Sequence, residues 1–164
     1  HWRRLFDQLQ RSTPAQLVQR QALLARQIQE NGVTYNVYAD PKGADRPWEL
    51  DLLPHVIAAD EWEQLSAGIA QRARLLNAVL ADLYGPQRLI AEGLLPAELV
   101  FGHNNFLWPC QGIQPPDGAF LHLYAVDLAR TPDGRWWVTA DRTQAPSGAG
   151  YDLENRTIVS RAFP

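Results

Sequence analysis

The sequence predicts a mixed α/β protein of the α+β kind, in which helices pack on a small, mainly antiparallel sheet. Two segments carry apolar residues at helical spacing, and two alternating segments flank a short turn nearer the C-terminus. The chain is 164 residues long and 46% hydrophobic, which is enough to form the core of one domain.

The first long helix is predicted from its ends as well as from its apolar stripe. After a short helix over residues 2–10, Thr13 and Pro14 provide a hydroxyl cap followed by a proline at the first helical position. Asn31-Gly32 ends the helix. Its apolar stripe at helical spacing consists of Leu17, Leu24 and Ile28, with Val18 and Leu23 beside them.

The longest helix is expected to begin at Asp60. Asp60 as the cap and Glu63 three positions later resemble a capping box, and Gly85-Pro86 stops the helix. Two short helices, residues 87–92 and 97–101, are expected to follow, each after a proline.

The strands are predicted from β-branched and aromatic residues in alternation. Residues 33–38 form one such segment. Residues 120–128 and 135–140 form a hairpin around the turn at residues 131–134. The loop that precedes Pro54 is expected to be pinned to the core by Trp48, Leu50, Leu52 and Leu53.

Composition narrows the class of protein. The net charge of −3 provides no basic field for nucleic acid, and no apolar run is long enough to cross a membrane. A single cysteine, Cys110, excludes an internal disulfide and favours a cytoplasmic location. The sequence contains no methionine and starts at His1, and residues 157–163 resemble the beginning of an element, so we expect the chain to be a piece of a longer one.

The most chemically suggestive stretch is DRTQAPSGAGYDLENR, residues 141–156. If the strands on either side of its loop pair directly, Asp141, Asp152 and Glu154 project to one side. Three carboxylates on one face need a compensating cation, and Mg²⁺ prefers such oxygen ligands. A register shifted by one residue places Asn155 beside Asp141 instead. An ordinary acidic hairpin with a glycine-rich turn is the alternative interpretation.

The same stretch carries groups that suit anions. Arg142 and Arg156 are candidates to hold a phosphate or a carboxylate. Ser147, Gly148 and Gly150 lie where backbone amides can approach an anion closely.

Residues 141–156 resemble the signature block of the circularly permuted type 2 ATP-grasp proteins. Further stretches resemble the same family in the same order, and the resemblance runs from about residue 30 to the end. They are GVTYNVY at 32–38, RPWELDLLP at 46–54, ADLYGPQR at 81–88 and PAELV at 96–100. The resemblance implies part of a permuted ATP-grasp fold, with an N-terminal helical segment at 1–31 and the family domain at 32–164.

The resemblance also implies an activity: ATP-dependent joining of a carboxylate to an amine. ATP phosphorylates the carboxylate, and the amine then attacks the acyl phosphate. Asp141, Glu154 and Asn155 match the Mg²⁺ ligands of such enzymes, which would make ATP and Mg²⁺ the cofactors. The implied partners are small-molecule or peptide carboxylates and amines and the remainder of the protein's own chain, without nucleic acid or membrane.

Two features depart from the family pattern. Glu154 and Asn155 are adjacent, whereas the wider ATP-grasp pattern often separates this pair by one residue. Lys42, the only lysine, lies in a loop unlike the positions of nucleotide-binding lysines. We therefore expect this chain alone to bind ATP weakly or not at all, and to be inactive by itself. The alternative function is a non-catalytic binding or scaffold module that keeps the family sequence without its activity.

Overall fold

The computed structural model describes residues 2–35 and 46–162. It divides the chain into two compact units: unit 1 is His1–Ile57 with Ser147–Pro164, and unit 2 is Ala58–Pro146. Helices and two small antiparallel sheets confirm the mixed α/β class. None of the helices in the described ranges is long and apolar enough to cross a membrane. The family-domain boundary after residue 31 stays a prediction.

The elements follow one another in a simple order. The helices are α1 (Trp2–Arg11), α2 (Pro14–Glu30), α3 (Ala59–Leu83), α4 (Arg88–Ala91), α5 (Ala97–Phe101) and α6 (Ala149–Ala162). The strands are β1 (Thr34–Tyr35), β2 (Arg46–Pro47), β3 (Ala125–Arg130) and β4 (Trp136–Arg142). Strand β1 pairs antiparallel with β2, and β3 pairs antiparallel with β4. Residues 36–38 of the predicted first strand, and Lys42, lie outside the described residues.

Helix α2 has the predicted ends. The Thr13 hydroxyl accepts a hydrogen bond from the Gln16 backbone N–H, and the Gln16 side chain accepts one from the Thr13 N–H. This reciprocal capping box satisfies two donors that the helix itself leaves unpaired. At the other end Asn31 caps the helix, and Gly32 takes a left-handed φ of +64°, which glycine adopts without steric strain.

The core of unit 1 forms where α2 packs on α6. Leu24, Ile28, Ile158 and Ala162 are buried there. Val33, Trp48, Leu50 and Leu52 pack against them, which confirms the predicted anchoring of the loop before Pro54. Leu53 is 59% exposed, so it does not share that role.

Helix α6 replaces the predicted second strand of the acidic hairpin. The prediction that residues 151–156 pair directly with the strand ending at Asp141 is wrong, in both of its registers. The stretch instead forms a helix of 14 residues, whose Asp152 N–H donates to the Gly148 carbonyl at 3.0 Å. Ile158 and Ala162 lie four residues apart, so one helix turn brings both onto α2.

The start of α3 differs from the predicted capping box. The cap residue is Ala58, whose carbonyl accepts from the Trp62 N–H, and no side chain caps the helix. Asp60 and Glu61 lie within the first turn, where their negative charge interacts favourably with the helix dipole. The cap therefore lies two residues earlier than predicted, and dipole compensation replaces the expected side-chain cap.

The ADLYGPQR stretch at residues 81–88 forms the turn from α3 into α4, and the contacts of this turn account for its residue types. The two Asp82 carboxylate oxygens accept from the backbone N–H groups of Arg88 and Leu89, each at 3.0 Å. A Cβ on Gly85 would lie 2.6 Å from the Ala81 carbonyl oxygen, so only glycine fits there. The two predicted short helices are confirmed as α4 and α5, with shorter bounds for α4.

The predicted hairpin is confirmed as β3 and β4, although β3 begins five residues later and β4 ends two residues later than expected. Arg130 pairs with Trp136 next to the turn, and Val126 pairs with Asp141 at the far end. Glu61 ties α3 to this hairpin, because its carboxylate accepts from the Trp136 indole at 2.8 Å and from Arg130 at 2.9 Å.

Candidate metal and phosphate site

Asp141 lies near the end of β4 and is held by two side chains of unit 2. Arg72, from α3, donates through Nε to Oδ1 at 2.6 Å and through Nη2 to Oδ2 at 2.7 Å. The Tyr124 hydroxyl donates to Oδ1 as well. This parallel two-bond arrangement is the geometry in which arginine binds a carboxylate most strongly.

These contacts keep the carboxylate ionised. The hydrogen bond from Arg72, followed by that from Tyr124, lowers the pKa of Asp141 from 3.8 to about 2. Burial, and then the bond to Asp141, raise the pKa of Tyr124, so its hydroxyl stays protonated and can donate. The Asp141 side chain is 26% exposed, so an ionised oxygen ligand remains within reach of solvent.

We expect Asp141→Asn to destabilise unit 2 at neutral pH and to lose that effect in acid. A carboxyl with a lowered pKa contributes stability above its unfolded value, and this contribution disappears as the pH falls through the folded value. The difference in unfolding free energy between the variant and the wild type should therefore shrink between pH 3.8 and about 2. Urea unfolding at pH 7, 4 and 2 measures it.

Glu63→Gln is the control for this measurement, because Glu63 is an exposed acid on α3 without a side-chain ion pair among the described contacts. Glu63→Gln should change the free energy of unfolding little at each of the three pH values. An Asp141→Asn difference that is as large at pH 2 as at pH 7 would contradict the ionised pair.

Arg142 makes a separate ion pair on the same hairpin. Its Nη2 donates to Asp127 Oδ2 at 2.7 Å, and Nε donates to both carboxylate oxygens at 3.1 Å. The pairing lowers the pKa of Asp127 and raises that of Arg142. Because consecutive strand residues point to opposite faces, Arg142 and Asp141 lie on different sides of β4.

Glu154 and Asn155 have partners within unit 1. The Asn31 side chain donates to Glu154 Oε2 at 3.0 Å, and the Trp48 indole N–H donates to Asn155 Oδ1 at 2.9 Å. Consecutive residues of a helix point about 100° apart, which is why the two oxygens meet different partners. The Trp48 ring also stacks on Tyr151 at a centroid distance of 4.6 Å.

The predicted anion-binding residues border the start of α6. Ser147 and Gly148 precede the helix, and Gly150 lies in its first turn. An added Cβ at either glycine would meet nothing within 4 Å, so the space around their backbone is open. Arg156 is an exposed residue of α6.

A groove of about 1240 Å³ runs within unit 2 between α3 and the hairpin. Arg72 lines it together with apolar side chains of both elements, of which Leu75 is 63% and Trp137 52% exposed. The Arg72 side chain that binds Asp141 therefore also borders the open space of this groove.

The structure thus distributes the predicted residues over both units. Asp141 and Arg142 belong to unit 2, whereas the residues from Ser147 to Arg156 belong to unit 1. Arg72 and Tyr124 were not predicted, although Tyr124 could have been found. It lies two residues before Val126, the partner of Asp141 in the hairpin register, and therefore on the same side.

Comparison with known families places these residues in context. The sequence profile of the family described as circularly permuted ATP-grasp type 2 matches residues 54–164, two thirds of the chain. The chain belongs to this family.

Curated relatives match almost the whole of this ATP-grasp family chain. The chain is 42% identical to Uncharacterized protein Rv2567 of Mycobacterium tuberculosis, over 99% of this chain and 19% of that protein. It is 42% identical to Uncharacterized protein sll0335 of Synechocystis, over 81% of this chain and 28% of that protein. Uncharacterized protein ML0605 of Mycobacterium leprae is 36% identical, over 98% of this chain and 28% of its own length. The chain thus spans 19% to 28% of the length of these curated relatives.

ATP-grasp proteins typically use ATP and Mg²⁺, and Asp141 has the chemistry of a ligand for that ion. It offers an ionised, partly exposed oxygen pair that already accommodates a cationic group, the Arg72 guanidinium. Among the described residues, no three His, Cys, Asp or Glu side chains are grouped to hold a metal. Mg²⁺ often needs only one or two carboxylates, since substrate phosphates and water complete its shell. The donor type therefore fits.

Proposed function

We propose that this chain is part of an ATP-dependent carboxylate–amine ligase and contributes residues that face the metal and the phosphates. One observation carries the proposal. Within the segment that matches the family, the ionised carboxylate of Asp141 is exposed to solvent and is paired with a cation. Such a carboxylate suits the neutralisation of charge that phosphoryl transfer requires.

In the proposed reaction a substrate carboxylate oxygen attacks the γ-phosphorus of ATP, and ADP leaves. The amine then attacks the acyl carbon, phosphate departs, and the amine loses a proton.

Bound Mg²⁺ would neutralise charge on the ATP phosphates, and Asp141, Glu154 and Asn155 are proposed to hold it. Arg142 and Arg156 would orient phosphate or carboxylate oxygens. The backbone at Ser147, Gly148 and Gly150 would approach an anion.

The remainder of the protein's own chain is the proposed partner of unit 2. None of the residues from 58 to 146, all of which the structure describes, is buried. Several large apolar side chains of this unit are more than half exposed, among them Leu75, Leu94, Leu99 and Trp108. A folded unit of this length normally buries a core. These surfaces support burial by further protein, in a cytoplasmic setting where ATP is available.

The test uses the longest natural protein that contains these residues, ATP, Mg²⁺, hydroxylamine as the amine, and a panel of amino acids and dipeptides as carboxylates. A ligase should form a hydroxamate together with one ADP and one phosphate, only when the carboxylate is present. ATP consumption that needs no carboxylate would contradict the ligase proposal.

A non-catalytic binding module is the second candidate, because each proposed metal ligand already has a protein partner. Asp141 binds Arg72, Glu154 binds Asn31, and Asn155 binds Trp48. All three therefore have a contact within the protein that needs no metal. Absence of both Mg²⁺–ATP binding and hydroxamate formation in the full-length protein would favour this candidate.

A further inference from the structure

Arg72 occupies both oxygens of the carboxylate on which the proposed metal site depends. Its two nitrogens lie 2.6 and 2.7 Å from Oδ1 and Oδ2 of Asp141. A divalent ion needs at least one of these oxygens, and its charge repels a guanidinium at this distance. The ion and Arg72 therefore compete for Asp141.

The competition favours exchange, because the pair is not enclosed. The side chains of Arg72 and Asp141 are 45% and 26% exposed. Because both side chains remain partly exposed, water can solvate the two charges when they separate, which lowers the cost of breaking the pair. A divalent ion with higher charge density can thus displace the guanidinium.

The position of Arg72 also allows its guanidinium to bind elsewhere once it leaves Asp141. Arg72 also lines the groove between α3 and the hairpin, so its side chain borders open space there. The planar guanidinium matches two phosphate oxygens as well as it matches a carboxylate. An anion that enters the groove can accept it.

We propose that Arg72 is an exchangeable counter-ion: it pairs with Asp141 until a divalent cation binds there, and then donates to the nucleotide phosphates. The proposal rests on the proposed function and adds a positioning residue to it. Metal binding at Asp141 frees Arg72 to donate to the nucleotide phosphates. Bound metal therefore raises the affinity for nucleotide, and by reciprocity bound nucleotide raises the affinity for the metal.

The test measures Mn²⁺ and ATP binding to the full-length protein by calorimetry, for the wild type and Arg72→Gln. Without its competitor, Asp141 should bind Mn²⁺ alone about 2- to 5-fold more tightly. ATP in the presence of Mn²⁺ should bind about 10-fold more weakly, because a charged donor is lost. Opposite changes in the two affinities are not expected from a merely structural residue.

Arg74→Gln is the matched control, since Arg74 is an exposed arginine two residues further along α3. The affinities of Arg74→Gln for Mn²⁺ and for ATP should equal those of the wild type. If Arg72→Gln does not fold, Arg72→Lys replaces it. Loss of the two-bond fork should again tighten Mn²⁺ and weaken ATP, although less.

Repeating the Mn²⁺ measurement in the Asp141→Asn variant separates the proposed metal site from the proposed exchange. In that variant, adding Arg72→Gln should leave the Mn²⁺ affinity unchanged. If Asp141→Asn abolishes Mn²⁺ binding but Arg72→Gln has no effect in the wild-type background, the exchange is wrong and the metal site stands. If Mn²⁺ binds equally with and without Asp141, or not at all, both the metal site and the exchange are overturned.

Discussion

Asp141→Asn in the full-length protein should reduce hydroxamate formation by at least about 100-fold. The substitution keeps the size of the side chain but removes the negative charge that would hold the divalent ion against the ATP phosphates. The two-bond ion pair with Arg72 also loses its anionic partner. Turnover at saturating ATP and a series of Mg²⁺ concentrations measures the loss.

Asp133→Asn is the matched control. Asp133 is an acidic residue in the turn of the same hairpin and forms an exposed ion pair with Arg135 at 2.7 Å. Its loss removes an exposed arginine–aspartate pair that does not include Asp141, so turnover should remain within about 2-fold of the wild type. Equal turnover of Asp141→Asn and the wild type, with unchanged Mg²⁺ dependence, would remove Asp141 from the proposed metal site.

Glu154→Gln extends this test to α6. The Gln side chain can still accept the hydrogen bond from Asn31 that Glu154 accepts at 3.0 Å, so α6 should keep its local contacts. A weaker Mg²⁺–ATP affinity in this variant would then report the lost charge. An unchanged affinity would leave Glu154 with its structural contact alone.

Trp48→Ala should lower the free energy of unfolding of unit 1 by about 3 kcal/mol. Trp48 is half-buried, packs against the core of α2 and α6, and stacks on Tyr151. Its removal also leaves Asn155 without the indole donor at 2.9 Å. Urea unfolding monitored by helix content measures the change. Trp48→Phe keeps an aromatic ring for the stacking contact and should lower the free energy by about 1 kcal/mol, the value of one hydrogen bond.

The contribution of Asn155 itself can be isolated by combining Trp48→Phe with Asn155→Ala. If their hydrogen bond stabilises unit 1, the double variant should lose about 1 kcal/mol less than the two single losses together. Additive losses would contradict a structural role of this bond. Asn155 would then remain a candidate metal ligand without a role in folding.

Local signals accounted for most of the predicted elements. The cap at Thr13, the stop at Gly32 and the turn at residues 131–134 each depend on neighbouring residues, and each was predicted correctly. The start of α3 was misplaced, because Asp60 has a side chain suited to a cap whereas Ala58 performs that role with its backbone. Aspartate is favoured both as a cap and in the first turn, so sequence alone does not separate the two.

The candidate site was only partly predictable, because its contacts join distant segments. Arg72 and Asp141 are 69 residues apart, and Asn31 and Glu154 are 123 apart. Helix α6 was missed for a related reason. Its helical character follows from the packing of Ile158 and Ala162 on α2, whereas the preceding glycines and the alternation of acidic residues favoured a strand. The candidate residues were identified from the residue types and spacing of residues 141–156 and from the family resemblance, and their partners came from the fold.

The most direct test of the central claim, that Asp141 is a metal ligand of an ATP-grasp site, is a crystal structure of the full-length protein with Mn²⁺ and a non-hydrolysable ATP analogue. Anomalous scattering locates Mn²⁺ independently of the protein. The predicted result is a manganese peak within coordination distance of an Asp141 oxygen, with Arg72 turned to a phosphate oxygen. A bound nucleotide whose manganese lies away from Asp141, with Arg72 still on both carboxylate oxygens, would contradict the claim.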